Sequence, residues 1–552
     1  MRRLKSLGAL VGAAGLLTAT AACGTSTSSG SSSGSTLTIS NESGSTWTCQ
    51  FNPFNENVSF TDFGPVYEPL VFMDTLESGK TAPWLAQSYS WNADATAVTF
   101  TMRSNAKWQD GTPITAADVV YTYGLLKKNP ALDLNGDWSF LKSVVQQGSN
   151  QVVMTFDGNG MTNFYLAAYD TPIVPEHIWS KIANPVTYPD KNPVGSGAYS
   201  VGACTGQNIQ FVANKHYYIP GEPKVQTVDY PAFLSNNAAN QELADGQAQW
   251  GNQIIPSIQK FYSAKSPHNK YWFPPTANND IFVNLTKPLL NNVAVREAMS
   301  YAIDRQKVST DGESGIEPAA SQSDIVSPTF SSWVDSSLTS QYDYSYNPAK
   351  AIATLKAAGF TMGSNGIFAS SAGQLNFTVI NIGDFSDFVQ DLQIITQEFK
   401  AVGIGLTVDN LSSNAFNNDL FNGDYQLAYY YENGGPTPYY AFWQILDSAN
   451  TAAIGKPAST NYERYTNPAT DALLTEYAST TSTAVQHQVI DQLQQVMLTQ
   501  LPVIPVVEGV DLYEYNTGAF TGWPTPANPY AQPGPANNPD WGWTLLHLAP
   551  KG

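Results

Sequence analysis

Apolar and polar residues alternate over short runs in the first third of the chain, with the two-residue period of half-buried strands. Residues 37–40 form one such run, and the region from Trp91 to Phe156 contains several. Within that region, Gly148-Ser149-Asn150 separates two valine-rich runs as a hairpin turn would. The pattern predicts a β-rich segment with one helix in it, which begins at Thr115 because Asp118 can complete its N-terminal cap.

The second half of the chain changes to a helical period. Apolar side chains recur with helical spacing over residues 295–303. A second helix is better marked, since Asn347 can cap it, Pro348 suits its first turn and Gly359 can end it. We therefore predict a helix between Asn347 and Gly359.

Strands and helices then alternate along the chain. The pattern indicates strands at 377–380, 406–408 and 425–431, with helices at 388–399 and near Phe416 between them. This order predicts a parallel sheet covered on both faces, whose ligands bind beyond the carboxyl ends of the strands. The residues predicted to line such a cleft are Tyr430, Tyr431, Glu432 and Asn433. The alternative is that these aromatic side chains pack between the layers.

Length and charge narrow the class of protein. The chain has 552 residues, far more than one domain usually contains, so we expect at least two lobes. Its formal net charge is −19, and removal of a basic leader would move it to about −22. A chain this acidic repels nucleic acid and anionic lipid, so neither is expected as its ligand.

The leader occupies residues 1–22 and has the pattern of a secretory signal. Arg2, Arg3 and Lys5 precede an uncharged stretch at 7–17, which is shorter than the roughly 20 residues that a membrane-spanning helix needs. We expect this segment to direct export and then to be removed.

Cleavage before Cys23 would leave a cysteine that can carry a lipid, and residues 23–35 would form a flexible Gly/Ser/Thr tether. The prediction is anchoring to the outer face of the cytoplasmic membrane. The alternative is a periplasmic or extracellular protein, because Thr20 departs from the usual lipidation motif and Ala19-Thr20-Ala21 suits an ordinary signal peptidase.

Two further cysteines, Cys49 and Cys204, would lie in a compartment where disulfides persist, and we expect them to be bonded, with free thiols as the alternative. Their spacing is not that of metal ligands. No paired spacing for zinc occurs among the histidines either, and no cofactor or metal is expected. The histidines are His177, His216, His268, His487 and His547.

Five strings of residues, in order along the chain, resemble the signature of the family 5 extracellular solute-binding proteins, the peptide, nickel and oligosaccharide group. They mark the scaffold of such proteins and carry no information about the ligand. The strings are WQDGTPITAADV at 108–119, PIVPEHIW at 172–179, NPVGSGAY at 192–199, VREA with AIDR at 295–305, and LPVIP at 501–505.

The resemblance implies an α/β, bilobal, periplasmic-binding-protein-like fold of the large three-subdomain type. The core of lobe I is expected from 36–68, 195–285 and 510–552, with a β-rich inserted subdomain at 69–194. Lobe II is expected at 286–509.

In such proteins the lobes close around the ligand about a hinge. The hinge is expected at two crossover strands, near Val283 and Val506. The resemblance further implies a monomer that hands its solute to an ABC permease in the membrane.

The ligand is predicted from two places where the sequence differs from the peptide-binding members of that family or resembles another branch. Peptide-binding members place an aspartate just after the strand that corresponds to 425–431, whereas this chain has Glu432 there and no aspartate before Asp447. The strings FTGWP at 520–524 and NPY at 528–530 resemble the branch that binds β-linked oligosaccharides. We therefore predict a β-linked oligosaccharide, with a peptide or dipeptide as the alternative.

Aromatic rings stack on the apolar faces of sugars, and the chain has 13 Trp and 29 Tyr. Core packing is the competing role for each ring. The tryptophans proposed as ligand contacts are Trp47, Trp443, Trp523, Trp541 and Trp543. Asn278 and Asn279 are predicted to bind hydroxyls or a peptide backbone.

An enzyme is the main alternative class. GSSSG at 30–34 fits a nucleophile-elbow pattern but lies in the tether, with no strand before it and no helix after it. The sequence shows no facing pair of buried carboxylates but does not exclude a glycosidase by its chemistry, and it is the family resemblance that disfavours one. Gly195-Ser196-Gly197 lacks the third glycine of a dinucleotide-binding loop, and its glycines are expected to relax backbone geometry. A chemosensory binding protein would have the same sequence pattern, so sensing stays an alternative to transport. The family resemblance predicts a binding protein and no enzyme.

Overall fold

The computed structural model describes residues 36–41, 46–55, 62–233, 235–432 and 434–551. The predicted leader at 1–22, the tether at 23–35 with its lipidation site Cys23, and the predicted ligand residue Asn433 lie outside the described residues. Within the described part of the chain, no helix has both the length and the apolar character needed to cross a membrane.

The strands, in chain order, are β1 (Thr36–Asn41), β2 (Val71–Asp74), β3 (Lys80–Pro83), β4 (Ala86–Trp91), β5 (Ala97–Met102), β6 (Leu141–Gln147), β7 (Gln151–Phe156), β8 (Tyr199–Cys204), β9 (Asn208–Ala213), β10 (Thr227–Pro231), β11 (Trp250–Asn252), β12 (Asn269–Tyr271), β13 (Pro275–Val283), β14 (Thr361–Met362), β15 (Phe368–Ser370), β16 (Gly373–Gln374), β17 (Asn376–Ile382), β18 (Gly405–Leu411), β19 (Leu427–Tyr431), β20 (Val503–Val510), β21 (Glu514–Asn516), β22 (Phe520–Thr521) and β23 (Ala549–Pro550).

The α-helices are α1 (Ala116–Lys128), α2 (Glu176–Trp179), α3 (Asn236–Ala244), α4 (Ile258–Phe261), α5 (Val293–Ala302), α6 (Arg305–Lys307), α7 (Ser336–Gln341), α8 (Pro348–Ala357), α9 (Ser386–Ala401), α10 (Ser413–Asn422), α11 (Tyr439–Leu446), α12 (Pro468–Ser479), α13 (Thr483–Gln500) and α14 (Asp540–His547). Shorter 3-10 or π-helical turns lie at Pro130–Leu132, Asp137–Ser139, Tyr165–Tyr169, Pro185–Thr187, Ser263–Lys265, Val308–Gly312, Ser331–Trp333 and Ser448–Asn450.

Lobe I is built on a seven-stranded sheet in the order β12-β21-β11-β1-β10-β9-β8. Its strands come from both ends of the chain, and β1 lies in the middle with parallel pairing to β10 and β11. A disulfide between Cys49 and Cys204, with a Cα–Cα distance of 5.7 Å, ties the loop after β1 to the end of β8.

A four-stranded antiparallel sheet, β4-β5-β7-β6, confirms the β-rich segment predicted from Trp91 to Phe156. Helix α1 interrupts this sheet, and Thr115 and Asp118 form the predicted capping box. The sheet shares one continuous hydrophobic core with lobe I, since Val98 belongs to the same buried cluster as Leu37.

Lobe II is built on a five-stranded sheet in the order β18-β17-β19-β13-β20. The three strands predicted to be parallel are parallel, with β17 between β18 and β19. Helices cover both faces: Ile281 of β13 belongs to one hydrophobic core and the next residue, Phe282, to the other. The predicted helix after Asn347 is confirmed as α8, and Gly359 follows its end with a φ of +89°.

The crossover strands β13 and β20 are antiparallel to each other and both belong to lobe II, an arrangement that the strand–helix alternation did not predict. The chain passes between the lobes at 272–275 and 510–513, where Trp272 N donates to Tyr513 O at 3.0 Å and Asp511 N to Pro274 O at 2.9 Å. Val283 and Val506, near which the hinge was expected, are fully buried in the core of lobe II. The passage between the lobes lies instead at the start of β13 and the end of β20.

Gly195 is required for close packing, which differs from the conformational freedom expected for it. Its φ is not positive, but a Cβ atom placed on it would lie 1.8 Å from Val66 O and 2.5 Å from Val66 C. Backbone atoms cannot move aside as a flexible side chain would, so only glycine fits here.

We expect Gly195→Ala to lower the free energy of unfolding by about 1–3 kcal/mol, because the added methyl overlaps a fixed backbone carbonyl. Gly124→Ala is the matched control: Gly124 lies in α1 with no atom within 4 Å of its added Cβ, and alanine in a helix is favoured by about 1 kcal/mol. Thermal unfolding of the two variants measures the difference, and equal midpoints would contradict this account.

Candidate functional site

A cleft of about 910 Å³ lies where the two crossover strands leave lobe II. Its wall includes Ala277 and Asn279 of β13 and Gly509 and Val510 of β20. The remaining lining comes from both lobes, with Tyr165, Ile254 and Gln532 on the lobe I side and the segments 312–317 and 384–390 on the lobe II side. The volume is at the upper end of the ~300–1,000 Å³ range for small-molecule sites, which suits an oligomer.

Tyr431 is the exposed aromatic residue at the end of β19, with 41% of its surface accessible, and it lines the cleft. Tyr430 stacks beside it with ring centroids 4.1 Å apart, and the Tyr430 hydroxyl donates to the Tyr431 hydroxyl at 3.0 Å. Tyr430 is held in turn by contact with Phe416. The Tyr431 ring is therefore fixed in place while part of it remains free for a ligand.

Glu432 follows directly and is buried against β13, where its Oε1 accepts from Asn278 N at 3.3 Å. Its own N–H donates to Asn278 O at 3.0 Å, which extends the pairing of β19 with β13 beyond Tyr431. Asn278 is fully buried and donates from Nδ2 to Asp324 Oδ1 at 2.9 Å. Glu432 borders the cleft, whereas Asn278 does not.

Asn279 points to the opposite face of β13 from Asn278 and lines the cleft. Its Nδ2 donates to Glu317 Oε2 at 2.6 Å, and Glu317 lines the cleft beside it. Burial, followed by the charge of Glu313, raises the pKa of Glu317 well above its ordinary value.

Glu313 lines the cleft, and Asp391 interacts with it from outside the lining; both are buried. Burial and then the charge of Asp391 raise the pKa of Glu313 to about 10, while burial raises the pKa of Asp391 to about 7. The Tyr429 hydroxyl donates to Asp391 Oδ2 at 2.8 Å. The pair therefore holds a proton at neutral pH.

Apart from tyrosine, the ionisable side chains that line the cleft are all carboxylic acids. In the described part of the chain, no lysine, arginine or histidine contributes to its lining. The ionised acids accept hydrogen bonds from hydroxyl or amine groups and repel a carboxylate, while a protonated one such as Glu313 can also donate. The acids are Glu313, Glu317, Asp384, Asp387 and Glu432.

The five tryptophans proposed as ligand contacts are absent from the lining of the cleft. Trp541 is fully buried and donates from Nε1 to Phe63 O at 3.1 Å, and Trp523 packs edge-on against Trp250 at 5.6 Å. These two rings belong to the core of lobe I.

The other three tryptophans are half-buried beside hydrophobic cores. Trp47 donates from Nε1 to Tyr230 O at 2.8 Å, and Trp543 stacks on Phe72 at 4.5 Å. Trp443 packs against the core of lobe II. Core packing, the competing role, is the one that all five rings have in this conformation, and their contact with a ligand stays a prediction.

Sequence reasoning brought Asn279, Tyr431 and Glu432 to the cleft and missed most of the rest. Glu317 follows no predicted strand and matches no motif. Asp384 and Asp387 follow the carboxyl end of the parallel strand β17, so the rule that placed Tyr431 could have found them. Tyr165 reaches the cleft from the region of the four-stranded sheet, far from the predicted strand ends.

A family profile described as "Bacterial extracellular solute-binding proteins, family 5 Middle" matches residues 80–453. Among curated relatives, the oligopeptide-binding protein AppA of Bacillus subtilis is 28% identical over 329 residues, which span 55% of this chain and 56% of that protein. The probable peptide-binding protein YejA of Agrobacterium fabrum is 22% identical over 84% of this chain and 85% of its own.

Solved structures share the fold over nearly the whole chain. The periplasmic oligopeptide-binding protein of Thermotoga maritima has a TM-score of 0.87 at 26% identity, over 94% of this chain and 100% of that one. Its mannohexaose-bound form has a TM-score of 0.79 at the same identity, over 94% and 99%. The α/β bilobal fold is therefore the one that these transport proteins have.

We expect Glu313→Gln to stabilise the protein more at pH 8 than at pH 5. The folded state holds the proton of Glu313 up to about pH 10, whereas the unfolded chain releases it near 4.5, so wild-type stability falls as pH rises above 4.5. Glutamine does not titrate and can still donate to Asp391. The gain at pH 8 should be on the order of 1–3 kcal/mol.

Thermal unfolding at the two pH values checks this expectation, with the exposed acid Glu476 changed to Gln as the control. A gain for Glu313→Gln that is equal at both pH values would show that the pair holds no extra proton.

Proposed function

Because the chain belongs to family 5 of the bacterial extracellular solute-binding proteins, we propose that it captures an oligosaccharide between its two lobes and delivers it to the permease of an ABC importer. The family consists of solute-binding proteins, so the chain is a binding component and not an enzyme. The observation that carries the proposal is the cleft, whose wall combines the crossover strands with side chains from both lobes.

A cleft of this kind can close on its solute. The lobes are joined by two short passages at 272–275 and 510–513, and a hinge needs few residues to absorb a change of angle. Closure would bring lining residues of lobe I, such as Gln532, toward Tyr431 and Glu317 of lobe II. Binding free energy then comes from contacts made in the closed form, less the free energy of closing.

The chemistry of the lining favours a sugar over a free peptide. Hydroxyl groups can donate to the carboxylates and amides of the cleft, and the exposed ring of Tyr431 offers a surface for an apolar sugar face. A peptide brings a carboxylate, for which the described lining has no cationic partner. The Thermotoga maritima neighbour, named as oligopeptide-binding, holds mannohexaose, and it supports the same choice.

An oligopeptide is the second candidate. AppA is named an oligopeptide-binding protein, and YejA a probable peptide-binding protein. The acids of the cleft can pair with the ammonium group of a peptide. Under this alternative, the carboxyl end of the peptide would have to lie away from Glu313, Glu317 and Asp387.

We further propose that the protein acts as an exported monomer that is tethered at Cys23 to the outer face of the membrane. The boundary expected at 285 moves to the passage at 272–275, because β13 pairs within the sheet of lobe II. Lobe I then comprises 36–68, 195–274 and 511–552, with its insertion at 69–194, and lobe II comprises 275–510. The shared core of Leu37 and Val98 is consistent with an insertion that moves together with lobe I.

We expect cello- or manno-oligosaccharides to raise the midpoint of thermal unfolding, because a ligand that binds only the folded state stabilises it by about 2.7 kcal/mol at 100 times its dissociation constant. The panel should contain both series together with peptides of two to nine residues. A rise with peptides alone would reject the oligosaccharide and leave the transport role intact, whereas no rise with either class would count against both candidates.

We expect Tyr431→Ala to weaken binding of the active oligosaccharide by roughly tenfold, equivalent to about 1.4 kcal/mol, through loss of the stacking surface. Tyr346→Ala is the matched control, since Tyr346 is an equally exposed tyrosine of lobe II, 45% against 41%, and lies outside the cleft. Isothermal titration calorimetry measures both, and equal affinities for the two variants would remove Tyr431 from the site.

A further inference from the structure

A second group of acids lies in lobe II behind the cleft. One carboxylate oxygen from each of Asp280, Asp324 and Glu432 lies within 4.8 Å of the others, and the three residues are 0%, 1% and 5% exposed. They come from three distant segments, namely the middle of β13, the loop before Pro328, and the residue after β19. We call these three residues the acidic trio.

The trio is poorly satisfied by the protein. Both oxygens of Asp280, Oδ2 of Asp324 and Oε2 of Glu432 are buried without a hydrogen-bond partner in the described structure. Arg305, whose charge acts on Asp280, forms no ion pair with the trio: its guanidinium donates to Pro505 O, Ser300 O and other neutral oxygens. A buried charge in this state costs several kcal/mol unless a proton or a cation neutralises it.

Two more side chains beside the trio have buried oxygens without partners, which points to a bound cation. Glu463 is fully buried with neither oxygen partnered, and its charge acts on both Asp280 and Glu432. Asn278, also fully buried, touches the trio through its bond from Nδ2 to Asp324 and has an unpartnered Oδ1. Buried polar atoms are nearly always satisfied in proteins, so this concentration of orphaned oxygens needs a ligand.

We propose that Asp280, Asp324 and Glu432 bind a calcium ion in the interior of lobe II, with Asn278 and Glu463 as further oxygen donors. Glu313 and Glu317 of the cleft, with the neighbouring Asp391, form a separate group and take no part. This proposal is independent of which solute the cleft binds.

Calcium is the cation that these donors fit. Every donor is an oxygen, and Ca²⁺ takes six to eight oxygens at about 2.3–2.6 Å, so two of its ligand atoms can be up to about 5 Å apart. The spacing of the trio satisfies that limit without movement. Mg²⁺ needs about 2.0–2.1 Å and retains several waters, whereas zinc favours histidine and cysteine, which are missing from this group in the described residues.

The ion would order the edge of the cleft. Asp280 lies opposite Tyr430 in the pairing of β13 with β19, and Glu432 immediately follows Tyr431. An ion held between them and Asp324 would fix the end of β19 against β13 and so position the exposed ring of Tyr431. We expect calcium to stabilise lobe II and to improve solute binding indirectly.

The test uses the full mature chain after treatment with a chelator. Millimolar CaCl₂ is expected to raise the midpoint of thermal unfolding by several degrees at pH 8, and MgCl₂ at the same concentration to have a clearly smaller effect. Titration calorimetry with CaCl₂ should give one site per chain. No calcium-dependent shift and no binding heat would show that the trio takes no calcium and would overturn the proposal.

Two variants localise the effect. Asp280→Asn is expected to abolish the calcium-induced shift and to unfold in chelator at a midpoint no lower than that of the wild type, because it removes a buried charge. Should that variant fail to fold, Glu432→Gln should weaken calcium binding at least tenfold. Asp391→Asn, which alters a buried acid of the other group, is the control and should retain the full shift. Loss of the shift in Asp391→Asn with retention in Asp280→Asn would place the ion at the cleft and reject the trio.

Discussion

The antiparallel pairing of β13 with β20 holds lobe II together and places the cleft at its edge. These strands carry the chain into and out of lobe II, and their ladder runs from Pro275 opposite Val510 to Phe282 opposite Val503. Backbone hydrogen bonds hold such a ladder whatever the side chains are, so the residues at its open end can serve the ligand. Asn279 and Gly509 line the cleft for this reason, while Val283 and Val506, in the interior, serve the core.

Lobe II contains two groups of buried carboxylates, one on each face of its sheet. Asp280 lies on the same face as Phe282, whereas Asp391 bonds to Tyr429, which belongs to the core of the opposite face. Each group is unfavourable for folding as long as its charges lack partners. Native proteins accept such sites where function uses them, because the stability lost there is recovered in packing elsewhere. The acids therefore mark the working part of this lobe, beside the cleft.

The large aromatic residues, unlike the acids, lie mostly in the hydrophobic cores and away from the cleft. Most large rings serve the cores, and Trp541 and Trp523 are examples whose indole N–H groups bond to backbone carbonyls of lobe I. A buried indole satisfied in this way is positioned for stability. Tyr431 differs because its neighbour Tyr430 and the end of β19 hold it at the surface of the cleft. A cleft with few rings and many acceptors suits a ligand that is rich in hydrogen-bond donors.

The local elements, the family and a few residues of the cleft could be predicted from the pattern of residues along the chain. Caps such as Asn347 and the pair Thr115–Asp118 act within one turn, so their signals are contiguous in the chain, and Tyr431 and Glu432 could be placed because they follow a strand of a parallel sheet. Only the tertiary structure decided that β13 joins this sheet antiparallel, that the predicted tryptophans lie in cores or against them, and that Glu317 faces the cleft. It alone brought Asp280, Asp324 and Glu432 together. The physical reason is that contacts between distant segments are set by the packing of whole sheets, and no short run of residues encodes that packing.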